Sequence, residues 1–337
     1  MNNSIFITGG TGSFGRAFVR KIIQSKMKVD RLVIFSRDEF KQSLMRSEYP
    51  SEKFPFIRFF LGDVRDYDRL LFATKDIRYI IHAAALKQVP AAEYNPFEAI
   101  KTNIIGAQNL INASLSNNVK KVIALSTDKA CAPINLYGAT KLCSDKLFVS
   151  ANNIIGKKDI SFSVARYGNV FGSRGSVLNV FNKYKNKGFF PVTDSQMTRF
   201  NITLNEATSM VLDIIKNSTG GEIFVPKLKS FKVLDLAKAI NEKNKIKIIG
   251  IRPGEKLHEQ MITFSDSYNT VELKDYYVIL PNGNDKLRKK FFKKNKYKMV
   301  KNNFEYSSEK NGKYLSISEL KILIKKFQKD NSNINDI

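Results

Sequence analysis

The fold of this 337-residue chain is decided by the stretch Thr8-Gly9-Gly10-Thr11-Gly12-Ser13-Phe14-Gly15. It follows a short apolar segment with the pattern of a buried strand, and it opens an amphipathic segment with the pattern of a helix. Gly9 permits a tight turn, Gly12 lets the backbone approach a pyrophosphate, and Gly15 lets the helix pack closely on the sheet. The helix N-terminus, with Thr11, Ser13 and Phe14 beside it, supplies amide donors for phosphates. An ordinary strand-to-helix turn is the alternative, but the strand–turn–helix context favours a dinucleotide site.

Short apolar strands and longer helices alternate through the first half of the chain. The pattern predicts strands over 4–8, 31–36, 56–61, 78–83, 121–125 and 160–165, and helices over 14–24, 39–48, 67–74, 97–117 and 136–152. Such alternation is typical of βαβ units, so we expect an α/β fold with a doubly wound parallel Rossmann sheet. Residues 1–170 are the predicted dinucleotide-binding domain. Residues 171–330, with predicted helices over 205–216 and 233–241, mainly form a smaller C-terminal substrate-binding lobe and extension, and some of these segments return to the sheet.

The residues after the second predicted strand bear on the choice of dinucleotide. An NAD site usually has an acidic residue here for the ribose hydroxyls, whereas this chain has Ser36 and Arg37. Arg37 suits a 2′-phosphate, and Lys41 adds a second positive charge one turn further on, which favours NADP. The alternative is that Arg37 and Lys41 form a solvated pair with Asp38. Asp63, at the end of the third strand, is placed to accept a hydrogen bond from an adenine amino group.

The second motif follows the strand at 121–125 and indicates oxidation of a hydroxyl group. Ser126-Thr127-Asp128-Lys129 is followed by Tyr137-Gly138-Ala139-Thr140-Lys141. Tyr137 and Lys141 share one helix face because they are four residues apart. A lysine ammonium beside the phenol would lower the pKa of Tyr137, so that it can take a hydroxyl proton during hydride transfer. Lys141 can also reach the nicotinamide ribose, and Thr127 can hydrogen-bond the substrate hydroxyl.

These residues resemble the extended short-chain dehydrogenase/reductase superfamily, and longer strings narrow the match to the inverting UDP-N-acetylglucosamine 4,6-dehydratases of pseudaminic acid biosynthesis. The strings are His82-Ala83-Ala84-Ala85-Leu86-Lys87-Gln88-Val89-Pro90, Thr127-Asp128-Lys129-Ala130, Pro133 to Lys141, Arg166 to Val170, Ser173 to Val177, Met197 to Phe200 and Arg252 to Glu259. The resemblance covers about residues 4 to 280. It implies that NADP takes a hydride from sugar carbon 4, that water leaves across carbons 5 and 6, and that the hydride returns to carbon 6. It also implies that Val64, Ala83, Ala84 and Ala85 line the cofactor site.

The resemblance assigns the elimination to two neighbouring residues. Asp128 is the expected acid at carbon 6 and Lys129 the expected base at carbon 5, although the division between them stays open. Retaining sugar-nucleotide dehydratases have Asp-Glu at this position, whereas this chain has Asp128-Lys129. The resemblance therefore associates Lys129 with inversion of configuration at carbon 5. A base must be neutral, which burial and the nearby charge of Lys141 would favour. The alternative is that the pair merely tethers a loop.

The same resemblance implies contacts to a UDP-sugar. Arg199 and Arg252 are the expected diphosphate ligands, and Glu255 is expected to hold the uridine ribose. Residues expected at the uracil are Thr193 and Met197, and those expected at the sugar or diphosphate are Lys87, Asn169 and Arg174. For each of them the alternative is a surface or packing role.

The chain is strongly basic, with a net charge of +25, and residues 281–337 carry +9 of it, nearly all between Lys286 and Lys301. No nucleic-acid-reading module accompanies this charge, so we expect solvated surface rather than nucleic-acid binding; contact with a membrane or an acidic partner is the alternative. Two cysteines indicate a reducing compartment, and with only two histidines we expect no metal site. We also expect no signal peptide and no membrane span, and hence a cytoplasmic protein. The resemblance implies a homo-oligomer, dimer or hexamer.

Three other functions fit parts of this pattern. A UDP-sugar epimerase uses the same scaffold and tyrosine, but it does not need an Asp–Lys pair for elimination. Capsule-type dehydratase/5-epimerases tend to have Met at the position of Tyr137. A non-catalytic NADP-sensing module would typically lose the Tyr-x-x-x-Lys pair that this chain keeps.

Overall fold

A computed structural model describes residues 3–25, 27–173 and 175–332 of the chain. Its strands are β1 (Ser4–Thr8), β2 (Arg31–Ser36), β3 (Ile57–Leu61), β4 (Tyr79–His82), β5 (Lys121–Thr127), β6 (Ser161–Tyr167), β7 (Asn169–Val170), β8 (Phe189–Val192), β9 (Thr198–Ile202), β10 (Ile223–Pro226), β11 (Lys229–Lys232), β12 (Lys245–Ile248), β13 (Gln260–Ile262), β14 (Thr270–Glu272), β15 (Tyr276–Ile279), β16 (Lys298–Met299) and β17 (Tyr306–Ser307). Its helices are α1 (Ser13–Gln24), α2 (Glu39–Glu48), α3 (Tyr67–Ala73), α4 (Val89–Tyr94), α5 (Pro96–Ile100), α6 (Gly106–Ser116), α7 (Leu136–Ala151), α8 (Val177–Tyr184), α9 (Leu204–Asn217), α10 (Val233–Ile240), α11 (Phe264–Ser267), α12 (Asp285–Lys294) and α13 (Ile317–Ser332).

Most of the strands within the described residues belong to one ten-stranded sheet of order β16-β14-β15-β10-β6-β5-β4-β1-β2-β3. The strands from β3 to β10 in this order pair in parallel, and the remaining β15, β14 and β16 add antiparallel at one edge. The order 3-2-1-4-5-6 is that of a doubly wound Rossmann sheet. The predicted fold class is therefore confirmed.

The sheet order reverses at β1, which lies between β2 and β4. Thr8, the last residue of β1, is paired with Phe35 on one side and with His82 on the other. In open α/β sheets, ligands bind in the crevice outside the carboxyl ends of the strands at such a reversal. The glycine-rich loop leaves β1 at this point, and the Thr127 end of β5 lies two strands away.

Alternating side chains of the strands form a core on each face of the sheet. In β1, Phe6 belongs to one hydrophobic cluster, while Ile5 and Ile7 belong to the other. A third cluster lies in the second half of the chain and includes Phe181 of α8 and Leu320 of α13. The C-terminal helix therefore packs into the core of the later segments.

The predicted helix over 97–117 is wrong as a single element. Helix α5 ends at Ile100, a π-helical turn covers Lys101–Ile105, and α6 begins at Gly106. The side chain of Asn103, in this turn, donates to the Leu86 carbonyl at 2.9 Å and accepts from the Leu86 amide at 2.8 Å. These bonds fasten the helix to the loop after β4, and π-helical turns are frequent where a helix meets a functional segment.

The basic segment forms a surface helix. In α12, Phe291 is buried against the sheet while its lysines lie at the surface. Among the described residues no helix is long and apolar enough to span a membrane. In the same part of the chain no group of three His, Cys, Asp or Glu side chains is arranged to hold a metal ion.

Candidate active site

The glycine-rich loop forms an anion site at the N-terminus of α1. Gly12 is the N-cap of this helix and has no side chain to accept the first amide protons, and the first turn contains no acidic residue. The free amides and the helix dipole together favour a phosphate group. A Cβ atom at Gly15 would overlap the backbone of Gly10, so this position must be glycine for α1 to pack against the loop. The loop therefore fits a dinucleotide pyrophosphate.

The residues after β2 form two separate ion pairs. Lys41 is paired with Asp38, as in the alternative of a solvated helix-start pair. Arg37 is half exposed, and its Nη1 lies 3.4 Å from Oδ2 of Asp63. Asp63 also accepts from the Nε and Nη2 atoms of Arg65 at 2.9 and 2.7 Å, and these arginines hold its pKa below the ordinary value against the effect of burial. The Arg37 guanidinium thus stays accessible at the edge of the cofactor crevice, and the contact of Asp63 with adenine stays a prediction.

Thr127, Asp128 and Lys129 follow one another at the carboxyl end of β5. Asp128 and Lys129 begin a 3₁₀ turn capped by Thr127, whose hydroxyl accepts from the Lys129 amide at 3.3 Å. The same hydroxyl donates to Oδ1 of Asp128 at 2.9 Å, and Lys129 Nζ lies 3.1 Å from that oxygen. Asp128 is almost fully buried, and its Oδ2 has no hydrogen-bond partner among the described residues. The turn therefore holds a buried carboxylate and an amine in direct contact.

Helix α7 brings Tyr137 and Lys141 to the same place. Asn135 caps the helix by accepting from the Gly138 amide at 2.8 Å, and both Tyr137 and Lys141 are buried. A Cβ atom at Gly138 would overlap the Lys129 carbonyl, so the helix lies directly on the turn after β5. The structure thus brings together the five residues predicted to be catalytic.

The pKa of Tyr137 differs from the sequence-based expectation. Burial raises the pKa of Tyr137 to about 12, although the charge of Lys129 and the hydrogen bond with Thr127 oppose this. Burial lowers the pKa of Lys141, and the nearby carboxylate of Asp145 opposes that change. The prediction that Lys141 lowers the pKa of Tyr137 is therefore wrong for this structure, since burial dominates and the largest opposing charge is on Lys129.

Lys129 has a second carboxylate partner, Glu259, which lies between Leu257 and the start of β13. Oε1 of Glu259 is 2.9 Å from Lys129 Nζ and 3.7 Å from Arg199 Nε. Burial alone would lower the pKa of Lys129, but Asp128 and Glu259 together raise it above the ordinary value. The expectation that burial and Lys141 keep this lysine neutral is therefore wrong, because its two carboxylate neighbours hold it charged. Burial and the charge of Glu259 raise the pKa of Asp128.

Two arginines predicted to bind a diphosphate differ in their surroundings. Arg199 is buried, and it donates to the backbone carbonyls of residues 198, 256 and 257 at 2.7 to 3.0 Å and lies 3.5 Å from Glu255. Arg252 is well exposed, with Nε and Nη2 each 3.0 Å from the Glu255 carboxylate. Arg252 therefore presents donors to a ligand, whereas Arg199 uses its donors within the protein.

The other residues predicted to bind substrate or cofactor differ in their burial. Asn169, on β7, has a buried Oδ1 without a partner among the described residues, and Lys87 is exposed in the loop after β4. Thr193 and Met197 are buried, and Met197 belongs to the third hydrophobic cluster. Their contacts with a UDP-sugar stay predictions. In the loops after β3 and β4, the structure places Val64 in the core and Ala83, Ala84 and Ala85 half-buried beside the glycine-rich loop. Arg174 lies outside the described residues.

Three further residues support the site, and none of them was assigned a role there from the sequence. Glu259 holds Lys129, and Asp145 accepts from Ser126 at 2.7 Å and from Arg166 at 3.2 Å. Thr8 Oγ1 accepts from the amides of residues 83 and 84 at 3.1 Å, joining the glycine-rich loop to the end of β4. Glu259 did lie within one of the strings that carry the resemblance, which is the signal that could have identified it.

A family model described as Polysaccharide biosynthesis protein matches residues 5–281. The chain belongs to the polysaccharide biosynthesis protein family. A curated relative, the UDP-N-acetylglucosamine 4,6-dehydratase (inverting) of Campylobacter jejuni subsp. jejuni serotype O:2, is 52% identical over 323 residues, covering 94% of this chain and 96% of that protein. The UDP-glucose 4-epimerase of Rickettsia bellii is 40% identical over 331 residues, covering 96% of each chain. The resemblance to the inverting dehydratases is therefore confirmed.

Solved structures place the family on the same fold. The X-ray structure of Pen from Bacillus thuringiensis superposes with a TM-score of 0.86 at 37% identity, covering 97% of this chain and 98% of that chain. The dTDP-glucose 4,6-dehydratase DesIV of Streptomyces venezuelae, solved with NAD and TYD bound, superposes with a TM-score of 0.66 at 19% identity, covering 75% and 86% of the two chains. The family thus shares its architecture with sugar-nucleotide dehydratases.

Proposed function

We propose that the protein is a UDP-N-acetylglucosamine 4,6-dehydratase that inverts sugar carbon 5 and is therefore a hydro-lyase. The product is UDP-2-acetamido-2,6-dideoxy-β-L-arabino-hex-4-ulose, and the reaction opens a pseudaminic acid-type biosynthesis. The observation that carries the proposal is the contact of the buried Asp128 with the partly buried Lys129 beside Tyr137, because elimination needs an acid and a base next to the oxidising tyrosine. The Campylobacter relative, at 52% identity, supports the same reaction.

The cofactor in this proposal is a nicotinamide dinucleotide, specifically NADP. The first amides of α1, which have no side-chain cap at Gly12, suit the pyrophosphate of NADP. The accessible guanidinium of Arg37 suits its 2′-phosphate. When bound, NADP accepts the hydride from sugar carbon 4 and returns it to carbon 6. In this proposal Lys141, which is buried one turn after Tyr137, holds the nicotinamide ribose.

Tyr137 and Thr127 act on the hydroxyl of carbon 4. Tyr137 takes the hydroxyl proton while the carbon loses its hydride, and Thr127 holds the hydroxyl by a hydrogen bond. With a pKa of about 12 in the free protein, Tyr137 is a neutral phenol, so it must first release its own proton to water before it can take the proton of the carbon-4 hydroxyl. Among the groups that lower the pKa of Tyr137, Lys129 has the largest effect. The charge of Lys129 therefore assists the transfer of the hydroxyl proton to Tyr137.

Asp128 and Lys129 carry out the elimination. Lys129 Nζ is 3.1 Å from Asp128 Oδ1, so one proton shift between them converts the ion pair into a neutral acid and a neutral amine. The amine then takes the carbon-5 proton while the acid protonates the departing carbon-6 hydroxyl, and water leaves. This step restores the original ion pair. Carbon 5 afterwards takes a proton that originates from water on the opposite face, and this inverts its configuration.

Substrate binding and self-association involve residues outside the catalytic group. Arg252 is the diphosphate ligand that the geometry supports best, with Glu255 beside it for the uridine ribose. We further propose a homo-oligomer, dimer or hexamer, located in the cytoplasm. Exposed apolar side chains on the helices after β4, at Tyr94, Phe97 and Ile105, support self-association.

The test is incubation of the purified protein with NADP and UDP-N-acetylglucosamine in deuterated water, followed by NMR of the sugar. We expect a carbon-6 methyl group, deuterium at carbon 5 and inverted configuration there. Tyr137→Phe, which removes the hydroxyl that accepts the proton, is the matched inactive control. An unchanged sugar in the parent sample would overturn the proposal.

A second candidate function is 4-epimerisation of a UDP-sugar, because the Rickettsia bellii relative has that name. The same experiment separates the two functions. An epimerase would change the configuration at carbon 4 alone and would leave the carbon-6 hydroxyl in place.

A further inference from the structure

Glu259 is a buried carboxylate shared by two cations. Its side chain is 2% exposed, and Oε1 lies 2.9 Å from Lys129 Nζ and 3.7 Å from Arg199 Nε. The other oxygen, Oε2, is buried and has no hydrogen-bond partner among the described residues. A carboxylate is seldom buried without a partner for each oxygen, so this arrangement needs an explanation beyond packing.

We propose that Glu259 is a positioning residue of the active site, whose carboxylate fixes the direction and the charge of the Lys129 amine beside Asp128. This inference rests on the proposed function, in which Lys129 acts at carbon 5. The inference adds Glu259 to that site. It also implies that the segment around β13 and β17 holds Glu259 in position.

The backbone of Glu259 is itself held firmly. Its amide donates to Ser308 Oγ at 2.9 Å, and its carbonyl accepts from the Ser308 amide at 2.7 Å. Ser308 follows β17, which pairs antiparallel with β13 next to Glu259. The hydroxyl of Ser308 also lies 2.7 Å from that of Thr198. The segment around Ser308 therefore holds the Glu259 carboxylate against Lys129, in the turn after β5.

A lysine needs this kind of support to act on one carbon atom. The lysine side chain is a flexible four-carbon stem that ends in an ammonium group with no fixed donor direction. A single hydrogen-bond partner therefore leaves the ammonium group mobile. Asp128 Oδ1 and Glu259 Oε1 contact Nζ from two sides at 3.1 and 2.9 Å. Two contacts leave the third hydrogen position of the amine for the substrate.

The charges around Lys129 balance only when Glu259 is included. The titratable groups that act on Lys129 are Asp128, Glu259, Arg199 and Tyr137, and Lys256 acts on Glu259. Ionised Asp128 and Glu259 lie beside Lys129, and Glu259 and Glu255 lie beside Arg199, so each cation has carboxylate partners that offset its desolvation. Without the charge of Glu259, Asp128 would be the one carboxylate left in contact with Lys129 among the described residues, and the charge of Arg199 would remain nearby. The lysine would then lose its proton more readily and would be a weaker base at carbon 5.

The test compares Glu259→Gln with Glu259→Asp and with Glu305→Gln. The Gln variant keeps the shape and removes the charge, while the Asp variant keeps the charge on a shorter side chain. Glu305→Gln is the matched control, because Glu305 lies beside β17, accepts from the side chain of Gln260 at 3.3 Å and pairs with Lys310 at 2.9 Å, but has no hydrogen bond or ion pair with Lys129 among the described residues. Each full-length protein is labelled with an amine-reactive reagent over a range of pH, and the modification of Lys129 and of the surface residue Lys120 is quantified by mass spectrometry.

We expect the pH at which Lys129 becomes reactive to fall by about one pH unit or more in Glu259→Gln, since an opposite charge in contact typically shifts a pKa by about 1 to 3. It should change less in Glu259→Asp and not at all in Glu305→Gln, while Lys120 stays constant in every protein. In the dehydration assay, Glu259→Gln should lose about tenfold or more in kcat with KM changed less than about threefold. The activity of Glu259→Gln should begin to rise at a lower pH than that of the parent. The kcat of Glu259→Asp should lie between those of Glu259→Gln and the parent.

Unchanged labelling of Lys129 in Glu259→Gln overturns the inference, and so does unchanged kcat and pH profile. If Glu259→Gln does not fold, Ser308→Ala gives the test instead, since it loosens the Glu259 backbone while all charges stay. It should then lower kcat while NADP affinity stays constant, and an unchanged kcat overturns the inference. The labelling needs no substrate, so a shift of Lys129 without dehydration of UDP-N-acetylglucosamine supports the role of Glu259 and counts against the proposed function alone.

Discussion

Nζ of Lys129 lies 2.9 Å from Oε1 of Glu259, a residue 130 positions further along the chain. This contact joins the turn after the central strand β5 to the segment before β13, and it completes a site that otherwise consists of residues 127 to 141. Asp128 contacts the same amine at 3.1 Å. The basic group proposed for carbon 5 is therefore a lysine held charged between two carboxylates, and a proton shift to Asp128 gives its neutral form.

Lys129→Ala should abolish elimination while NADP binding stays intact. The variant lacks the amine that takes the carbon-5 proton, and loss of a positioned base typically costs about 10² to 10⁴ in rate. Formation of the 6-deoxy sugar and uptake of deuterium at carbon 5, both measured by NMR, should fall by at least about 10²-fold. Lys120→Ala is the control, because Lys120 lies just before the opposite end of β5 in an exposed pair with Asp159. A 6-deoxy product at nearly the parent rate would place the base elsewhere.

Arg252→Lys should weaken substrate binding without slowing the chemistry. Arg252 is exposed, and among the described residues its guanidinium hydrogen-bonds to the Glu255 carboxylate through Nε and Nη2, so its remaining donors can take a diphosphate. Lysine cannot reproduce such forked contacts. We expect KM for the UDP-sugar to rise about tenfold, with kcat within about twofold of the parent, in steady-state kinetics. Arg58→Lys, on the exposed surface of β3, should leave both constants unchanged.

Arg199→Lys should instead reduce stability. Arg199 is buried and donates to three backbone carbonyls around residues 198 to 257, which a lysine cannot satisfy together. Loss of such buried hydrogen bonds typically costs about 1 to 3 kcal/mol. The unfolding temperature should therefore fall by several degrees, measured by calorimetry, whereas it should stay constant in Arg252→Lys. A large rise in KM with an unchanged unfolding temperature would show that Arg199 is a substrate ligand first.

The sequence predicts the backbone of this protein better than the state of its site. Strands such as 31–36 and the helix over 39–48 appear at the predicted residues, because local hydrophobic periodicity and capping by Asp38 determine them. The pKa directions of Tyr137 and Lys129 were wrong, because burial and partners distant in sequence decide them. Spacing along the chain does not reveal that Glu259 meets Lys129, since that contact depends on how β13 and β17 pack beside β5's terminal turn.

Arg37→Ala should reduce the preference for NADP over NAD. Arg37 is half exposed, with one guanidinium nitrogen 3.4 Å from Asp63, so its other donors can meet a 2′-phosphate. We expect NADP affinity to fall about 10- to 100-fold and NAD affinity to change less than about threefold, measured by calorimetry. Lys41→Ala should have a smaller effect, since Lys41 is engaged by Asp38. Equal losses for both dinucleotides would mean that Arg37 supports the loop rather than the phosphate.

His82 should make the folded protein less stable as the pH falls. Its imidazole is buried, with Nδ1 2.9 Å from Thr8 Oγ1, and burial together with the charge of Lys141 lowers its pKa from 6.5 to about 3. Between these two values the unfolded chain binds the proton and the folded protein does not. Stability that is fully present above pH 6.5 is therefore lost on acidification, by about 1.4 kcal/mol per pH unit from this one group.

Unfolding by urea between pH 7 and pH 4 measures this contribution. His82→Gln can keep the bond to Thr8 but has no titrating ring, so its stability should fall less steeply than that of the parent over this range. The matched control is His258→Gln, which removes the other histidine of the chain and should keep the steep dependence on pH. Equal slopes for the parent and His82→Gln would mean that His82 takes up a proton in the folded state. Its ring nitrogen Nε2, which has no hydrogen-bond partner among the described residues, would then have to find a proton acceptor at the cofactor crevice.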